Sequence, residues 1–296
     1  MDVGPERSPA LSVALSLYNA AATLEPMLRS LSAQTYGDWE LLCFDDGSSD
    51  DGPTRMRRYA DADVRIRVFA DGTRRGLAAR LNQAIDFARG RYFARADADD
   101  IAYPERFARQ VAYLDAHPEV DLLGASMVVF ADDGRPVGLF RAPASHEAIC
   151  ARPLSGFYLP HPTWTGRIEW FRKWRYDPGC RKAQDQELLL RAWRSSRYAA
   201  LPEPLVGYRQ DAVSVRKSLL GRYYFSRAIL RVTADEGRLA VGIGATVLQT
   251  AKLATDMFAI GTGLARTLLK HRARTFSEED AAHWREVWAA SAGADA

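Results

Sequence analysis

The stretch RADADDIAYPERF, from Arg95 to Phe107, places three carboxylates, Asp97, Asp99 and Asp100, in four consecutive positions. Like charges packed this closely repel, and folding alone seldom calls for the arrangement. Carboxylates at i and i+2 in an extended turn can approach one cation. Hard oxygen donors of this kind suit Mg²⁺ or Mn²⁺, which also take ligands from water and phosphate. Acids at such a place also suit a helix N-terminus, where they cap free N–H groups and favour the dipole. Asp100, with Pro104 near the first turn, fits that second role. For Asp97 and Asp99 the residues alone leave both readings open. Two further acidic sites stand out. FDDGSSDDG, with Asp45 and Asp46, has the composition of an ordinary turn after a strand. Asp185, in AQDQELLLRAW, sits where a helix starting near Gln186 would take an N-cap.

Elements must carry these acids to one place. LSVALSLYN (Leu11–Asn19) reads as a buried strand ending in a polar loop, and TLEPMLRSLSAQ has apolar residues at helical spacing. WELLCFDDGSSDDG is an apolar run that stops at Asp45 and Asp46. PTRMRRYADA reads as a helix, VRIRVFA as a third strand, and GLAARLNQAIDFARG as a helix with Gly90 as its stop. RYFARA is a fourth strand, and it delivers the acid cluster. This alternation predicts an α/β fold, a doubly wound, mostly parallel sheet with helices on both faces. Ligands in such sheets bind outside the carboxyl ends of the strands. Three strand ends, at Ser16 to Asn19, Asp45–Asp46 and Asp97–Asp99, are therefore expected at one edge. LLGASMVVF and DDGRPVGLF read as a strand, a turn and a strand; irregular polar and aromatic sequence then runs to Tyr176.

The 296 residues allow one large domain or two, and a hydrophobic content of 47% suffices for a core. A net charge of +3 is too mild to argue for nucleic acid. Cys43, Cys150 and Cys180 form neither a metal pattern nor a disulfide framework, so a reducing cytoplasm is the expected compartment. MDVGPERSPA lacks the basic and apolar regions of a signal peptide.

Taken in order, four segments resemble family 2 glycosyltransferases of the GT-A fold. They are SVALSLYNAAATLEPMLRSLSAQTYGDWELLCFDDGSSDDG, RGLAARLNQAIDFARGRYFARADADDIAYPERFARQ, HPTWTGR and AQDQELLLRAW, and the resemblance runs from residue 11 to about 210. It implies a catalytic domain over 1–213, with a nucleotide-sugar half at about 11–130 and an acceptor half at about 131–213. It also implies a UDP- or dTDP-sugar donor and a Mn²⁺ or Mg²⁺ ion. Ser16 and Tyr18 match positions lining the nucleotide site. Asp46 matches the carboxylate that accepts a hydrogen bond from the base, and only uracil and thymine offer that N3–H. Arg75 or Arg80 lies where the family often has a cation near the diphosphate. Asp97 and Asp99 form the DxD motif, with Asp99 as its metal-contacting member. Asp185 aligns with the base of an inverting transfer, although Gln184 stands where the family often carries an acid. His161 and Trp164 are weaker expectations for acceptor contacts, and a structural histidine serves the sequence equally well.

Two rivals remain at this level. A nucleotidyltransferase would show a Gly-rich basic loop, but LSLYNAAATLEPM has neither a Gly nor a basic residue before Arg29. A non-catalytic nucleotide-sugar-binding protein would not need the acids that are present here.

Residues 214–296 read as a basic and apolar helical region. SVRKSLLGRYYFSRAILRV carries Arg216, Lys217, Arg222, Arg227 and Arg231 without an acid, and LARTLLKHRAR carries Arg266, Lys270, Arg272 and Arg274. The uncharged run between them, Leu239 to Ala251, is 13 residues, whereas about 20 are needed to span a bilayer. Peripheral attachment to the inner face of an anionic membrane, near a glycan or lipid-linked acceptor, is the favoured expectation. The alternative is a packing or oligomer surface.

Overall fold

The computed structural model describes residues 8–210, 215–261 and 276–293. The first half alternates strands and helices: β1 (Leu11–Leu17), α1 (Leu24–Ser32), β2 (Trp39–Asp45), α2 (Gly52–Ala62), β3 (Ile66–Ala70), α3 (Leu77–Phe87) and β4 (Tyr92–Asp97). A two-residue strand, β5 (Ile101–Ala102), and α4 (Arg106–Ala116) follow. The second half holds β6 (Leu122–Phe130), β7 (Pro136–Phe140), α5 (His146–Ile149), β8 (Thr165–Arg167), α6 (Ile168–Lys173), α7 (Gln184–Ala192) and β9 (Tyr198–Arg209). Three helices close the described chain: α8 (Val215–Asp235), α9 (Leu239–Gly261) and α10 (Glu278–Ala292).

The strands form one sheet in the order β3-β2-β1-β4-β8-β6-β9-β5, with β7 paired to β6. The β3-β2-β1-β4 portion is parallel, as the alternation predicts. Beyond β4 the sheet is mixed: β8 runs antiparallel to β4 and β6, and β9 runs parallel to β6.

The strands of the parallel part are apolar on both sides because both faces are covered. Val13 and Leu15 of β1 pack with Leu41 and Cys43 of β2 and with Met27 and Leu28 of α1. The alternate residues, Ala14, Leu42 and Phe44, pack on the other face with Leu81 and Ile85 of α3. Gly90 is not the stop of α3, which ends at Phe87. A Cβ there would stand 2.7 Å from the backbone N of Ser12, so the residue serves close approach to β1.

β9 is a strand that the sequence hides. Its Pro202 and Pro204 remove ladder donors. The structure accommodates them by a register shift: Ala125 pairs with Leu201, but Ser126 pairs with Pro204. The C-terminal helices are built into the same body. Phe225, Ala228 and Ile229 of α8 join one core cluster. Trp284 and Val287 of α10 join another, with Ile101, Tyr103, Val128 and Phe130. Trp284 Nε1 donates to Gly134 O at 2.8 Å. Its ring covers Gly207, where a Cβ would stand 2.2 Å away. The basic segment with Arg266, Lys270, Arg272 and Arg274 lies outside the described residues.

Candidate active site

Register fixes the edge. Ser16 of β1 lies opposite Asp97 of β4, and Leu17 lies opposite Asp45 of β2. The loops after β1, β2 and β4 therefore leave the sheet side by side. Two bonds join the first two of these loops: Ser49 N donates to Asn19 Oδ1 at 2.8 Å, and Asn19 N donates to Ser48 Oγ at 3.1 Å.

At the end of β4, Asp97, Asp99 and Asp100 each offer a carboxylate oxygen within 4.8 Å of the others. Thr23 Oγ1 holds the turn by donating to Ala98 O at 2.9 Å. Asp100 is buried, and its Oδ1 accepts from the backbone N of Arg209 at 3.0 Å. Its Oδ2 has no hydrogen-bond partner among the described residues. Burial, then Asp97 and Asp99, push its carboxyl well above the usual range. Asp100 is thus no helix cap: α4 starts at Arg106, and Asp100 precedes β5. Three clustered carboxylates with an unsatisfied buried oxygen are a donor set that suits a divalent cation, and their hard oxygens favour Mg²⁺ or Mn²⁺.

Two buried guanidinium groups lie behind the acids. Arg95 pairs with Asp97. Burial works against its charge, but Asp97, Tyr176, Asp100 and Asp185 outweigh burial and hold its pKa above the ordinary value. Arg106 donates to Arg95 O at 2.8 Å and to Pro162 O at 3.0 Å, and burial lowers its pKa to about 10.

Asp185 is half-buried in the first turn of α7, not at its N-cap, which is Ala183 with φ 57°. Gln186 fixes this turn. Its Oε1 accepts from Phe157 N at 2.7 Å, and its Nε2 donates to Asp185 Oδ2 at 3.1 Å. Asp185 and Asp97 both act electrostatically on Arg95 and on the Tyr176 hydroxyl, whose pKa is pushed up chiefly by burial. These four residues therefore share one electrostatic environment, although Asp185 lies far from the others in the chain.

The loop after β3 and the first turn of α3 carry the basic residues. Arg80 is buried and directs all five of its N–H donors into the protein: to Asp46, to both oxygens of Asp71, to Gln83 and to Thr73 O. It has no donor left for a diphosphate, so its place in the family pattern is a structural one here. Arg75 is half-exposed, with Nε 3.0 Å from Asp71. Asp46 is buried, and its Oδ1 accepts from Arg75 N at 2.7 Å, Gly76 N at 2.9 Å and Arg80 Nε at 3.0 Å. Gly76, at φ +85°, allows the turn that aims those two amides. Only Oδ2 of Asp46, which meets Gly76 N at 3.0 Å, retains accepting capacity. Tyr18 is 39% exposed, and the Arg74 guanidinium lies 4.0 Å over its ring. Ser16 is half-buried at the end of β1.

His161 and Trp164 do not form an acceptor surface. Trp164 is fully buried, and its Nε1 donates to Leu159 O at 3.2 Å. His161 is buried against it, with Nε2 2.8 Å from the Tyr176 hydroxyl. Burial, then Arg95, hold this imidazole well below its ordinary pKa. Both are packing residues behind the acid cluster. Arg95, Arg106, Arg209 and Tyr176 also pack around this candidate site, and the sequence alone did not single them out. Only Arg95, two positions before the DxD, carried a local signal. A cavity of about 370 Å³ between α7, α8 and Pro153–Ser155 contains none of the candidate residues.

The comparisons agree with this geometry. The model of the Glycosyl transferase family 2 matches residues 12–176. EpsE of Bacillus subtilis (strain 168) is 31% identical over 227 residues, which make up 75% of this chain and 80% of that protein. Among solved structures, S. aureus TarS 1–349 in complex with UDP-GlcNAc superposes with a TM-score of 0.63 at 18% identity, over 94% of this chain and 79% of that one. The mannosyltransferase PcManGT from Pyrobaculum calidifontis, in complex with GDP-Man and Mn²⁺, superposes with a TM-score of 0.58 at 18% identity, over 98% and 88%. These likenesses and the sheet above establish the GT-A fold. The chain belongs to glycosyl transferase family 2, and it is a glycosyltransferase.

Proposed function

We propose that the protein moves a sugar from a UDP- or dTDP-sugar to a hydroxyl group of a glycan or lipid-linked acceptor, with inversion and with help from Mn²⁺ or Mg²⁺. One observation carries the reading: the Asp97–Asp99–Asp100 cluster shares a sheet edge with Ser16, Tyr18 and Asp46, and shares an electrostatic environment with Asp185. The solved structures of this fold that hold UDP-GlcNAc, or GDP-Man with Mn²⁺, support a nucleotide-sugar donor and a divalent metal.

Asp97 and Asp99 would hold the metal, with Asp100 as a third oxygen donor behind them. When bound, a divalent cation would supply Lewis-acid stabilisation to the diphosphate that leaves. Tyr18 offers a ring face to the nucleobase, and Asp46 Oδ2 accepts its N3–H. Arg75, half-exposed, faces the diphosphate side, whereas Arg80 braces Asp46. Asp185 takes the proton from the acceptor hydroxyl as that oxygen attacks the anomeric carbon. The new glycosidic bond forms as the bond to the diphosphate breaks, so a single displacement inverts the centre. Gln186 keeps the Asp185 carboxylate turned while the acceptor enters.

A nucleotidyltransferase finds no support, since the loop after β1 lacks the Gly-rich basic sequence that such an enzyme uses. The cytoplasmic side of a membrane is the proposed place of work. The deciding experiment screens UDP-, dTDP- and GDP-sugars for hydrolysis with Mn²⁺ and with EDTA. Hydrolysis of a UDP- or dTDP-sugar only with metal supports the proposal, and no turnover with any donor would sink it.

A further inference from the structure

Helices α8 and α9 form an antiparallel hairpin. Gly242 meets Thr233 near its tip, and Arg222 Nη1 donates to Gln249 Oε1 at 2.9 Å farther along. Gln249 Nε2 also donates to Leu154 O at 3.0 Å, which pins α9 to the catalytic body. Between Leu239 and Gln249 the inward positions of α9 are small or polar, Gly242, Ala245 and Gln249, and Leu253 is half-buried one turn farther on. Ala240, Ile243, Gly244, Val247, Leu248 and Ala251 follow helical spacing and face outward or sit at the margin of that face. Ile243, Val247 and Leu248 are 52%, 65% and 54% exposed. A helix selected only to pack on its own chain would place its large apolar residues inward; the stretch Leu239–Leu248 of α9 does the reverse.

The electrostatics of the hairpin indicate what covers this face. Residues 215–261 carry seven Lys and Arg against three acids, Asp235 and Glu236 side by side at the tip and Asp256 in α9. Glu236 is occupied by Arg194 and Arg238. On α8, Arg216, Leu219, Tyr223 and Arg227 are exposed at positions that share one helical face, so cations and apolar groups alternate along it. The complementary partner is anionic and accepts apolar side chains. A bilayer with anionic headgroups has both properties. A second copy of the chain would present the same cations. Among the described residues, no helix is long and apolar enough to cross a membrane.

We propose that the α8–α9 hairpin seats the protein on an anionic lipid surface. Ile243, Val247 and Leu248 enter the headgroup boundary, and Arg216 and Arg227 face lipid phosphates. The proposal concerns attachment and stands apart from the chemistry of the acid cluster, so either can fail alone.

The test is co-sedimentation of the full chain with vesicles of phosphatidylcholine alone, and of phosphatidylcholine mixed with phosphatidylglycerol. Wild type is expected to bind the mixed vesicles at low salt, with affinity at least about tenfold weaker for phosphatidylcholine alone, as several surface cations imply. The exposed-site variant Val247→Glu/Leu248→Glu and the variant Arg216→Glu/Arg227→Glu should each lose about tenfold or more on mixed vesicles. Both should keep the wild-type melting temperature and donor hydrolysis. Wild type that ignores mixed vesicles at low salt overturns the proposal, as do variants that bind like wild type. A wild-type dimer that Val247→Glu/Leu248→Glu converts to monomer, with no lipid binding by either, would assign the face to a second copy and also overturn it.

Discussion

The backbone N–H of Arg209 donates to Oδ1 of Asp100 at 3.0 Å, joining the last residue of β9 to the acid cluster 109 positions earlier. The Arg209 side chain continues the link. Its Nε donates to Asp99 O at 3.1 Å, Nη1 lies 3.2 Å from Asp132 Oδ1, and the guanidinium sits 4.8 Å over Phe130. Arg209→Ala removes the side-chain hold on Asp99 and leaves the backbone bond. Losing one charge-assisted hydrogen bond costs about 1.5–3 kcal/mol. Mn²⁺-dependent UDP binding should therefore weaken by about tenfold or more. Calorimetry that gives wild-type affinity would show that the side chain does not hold the loop.

Asp99 tests the metal directly. Asp99→Ala should abolish transfer and remove the Mn²⁺ dependence of nucleotide binding, because one of three converging carboxylates is lost. If the variant works at full rate in EDTA, the metal reading fails.

Asp185→Asn keeps the shape of the first turn of α7 and removes the proton acceptor. Transfer should fall by about 10²-fold or more, the scale of general base catalysis, while donor affinity changes little. Single-turnover rates with bound donor separate these two quantities. A variant within about twofold of wild type would place the base elsewhere.

Asp46 has two testable roles. Isothermal titration should favour UDP and dTDP over CDP and GDP, and a preference for GDP would contradict the base contact. Asp46→Ala also strips one of the two counter-ions of the buried Arg80, Asp71 being the other. Losing a buried charge-assisted hydrogen bond costs about 1.5–3 kcal/mol, so the melting temperature should drop by a few degrees. An unchanged melting curve would show that Asp71 suffices to hold Arg80.

His161 makes stability depend on pH. Its folded pKa lies well below 6.5 because of burial and Arg95. The unfolded chain then binds a proton that the folded chain does not, in the window below the unfolded value. Stability from this group is full above pH 6.5 and falls as pH drops toward the folded pKa. Thermal melts across that window should show wild type losing more stability than His161→Gln. Equal slopes would mean that His161 titrates normally in the folded protein.

Much of the N-terminal parallel part was legible in the sequence because its signals are local. The apolar runs of β1, β2 and β4 stop at polar residues, and a buried parallel strand can end at a site in no other way. Other features depended on partners distant in the chain. Arg75 and Arg80 are alike as letters, yet only packing directs all five donors of Arg80 inward. Asp100 resembles a helix cap until β9, concealed by Pro202 and Pro204, presents Arg209 N to it. His161 and Trp164 look like loop residues until the β4–β8 and β6–β8 pairings bury the chain beside them. Trp284 gives no hint in its own segment that it covers Gly207. Sequence periodicity reports which face of an element is apolar, because that is set by side chains a few positions apart. Which buried group receives a hydrogen bond, and which cation stays exposed, is decided when distant segments compete for the same interior.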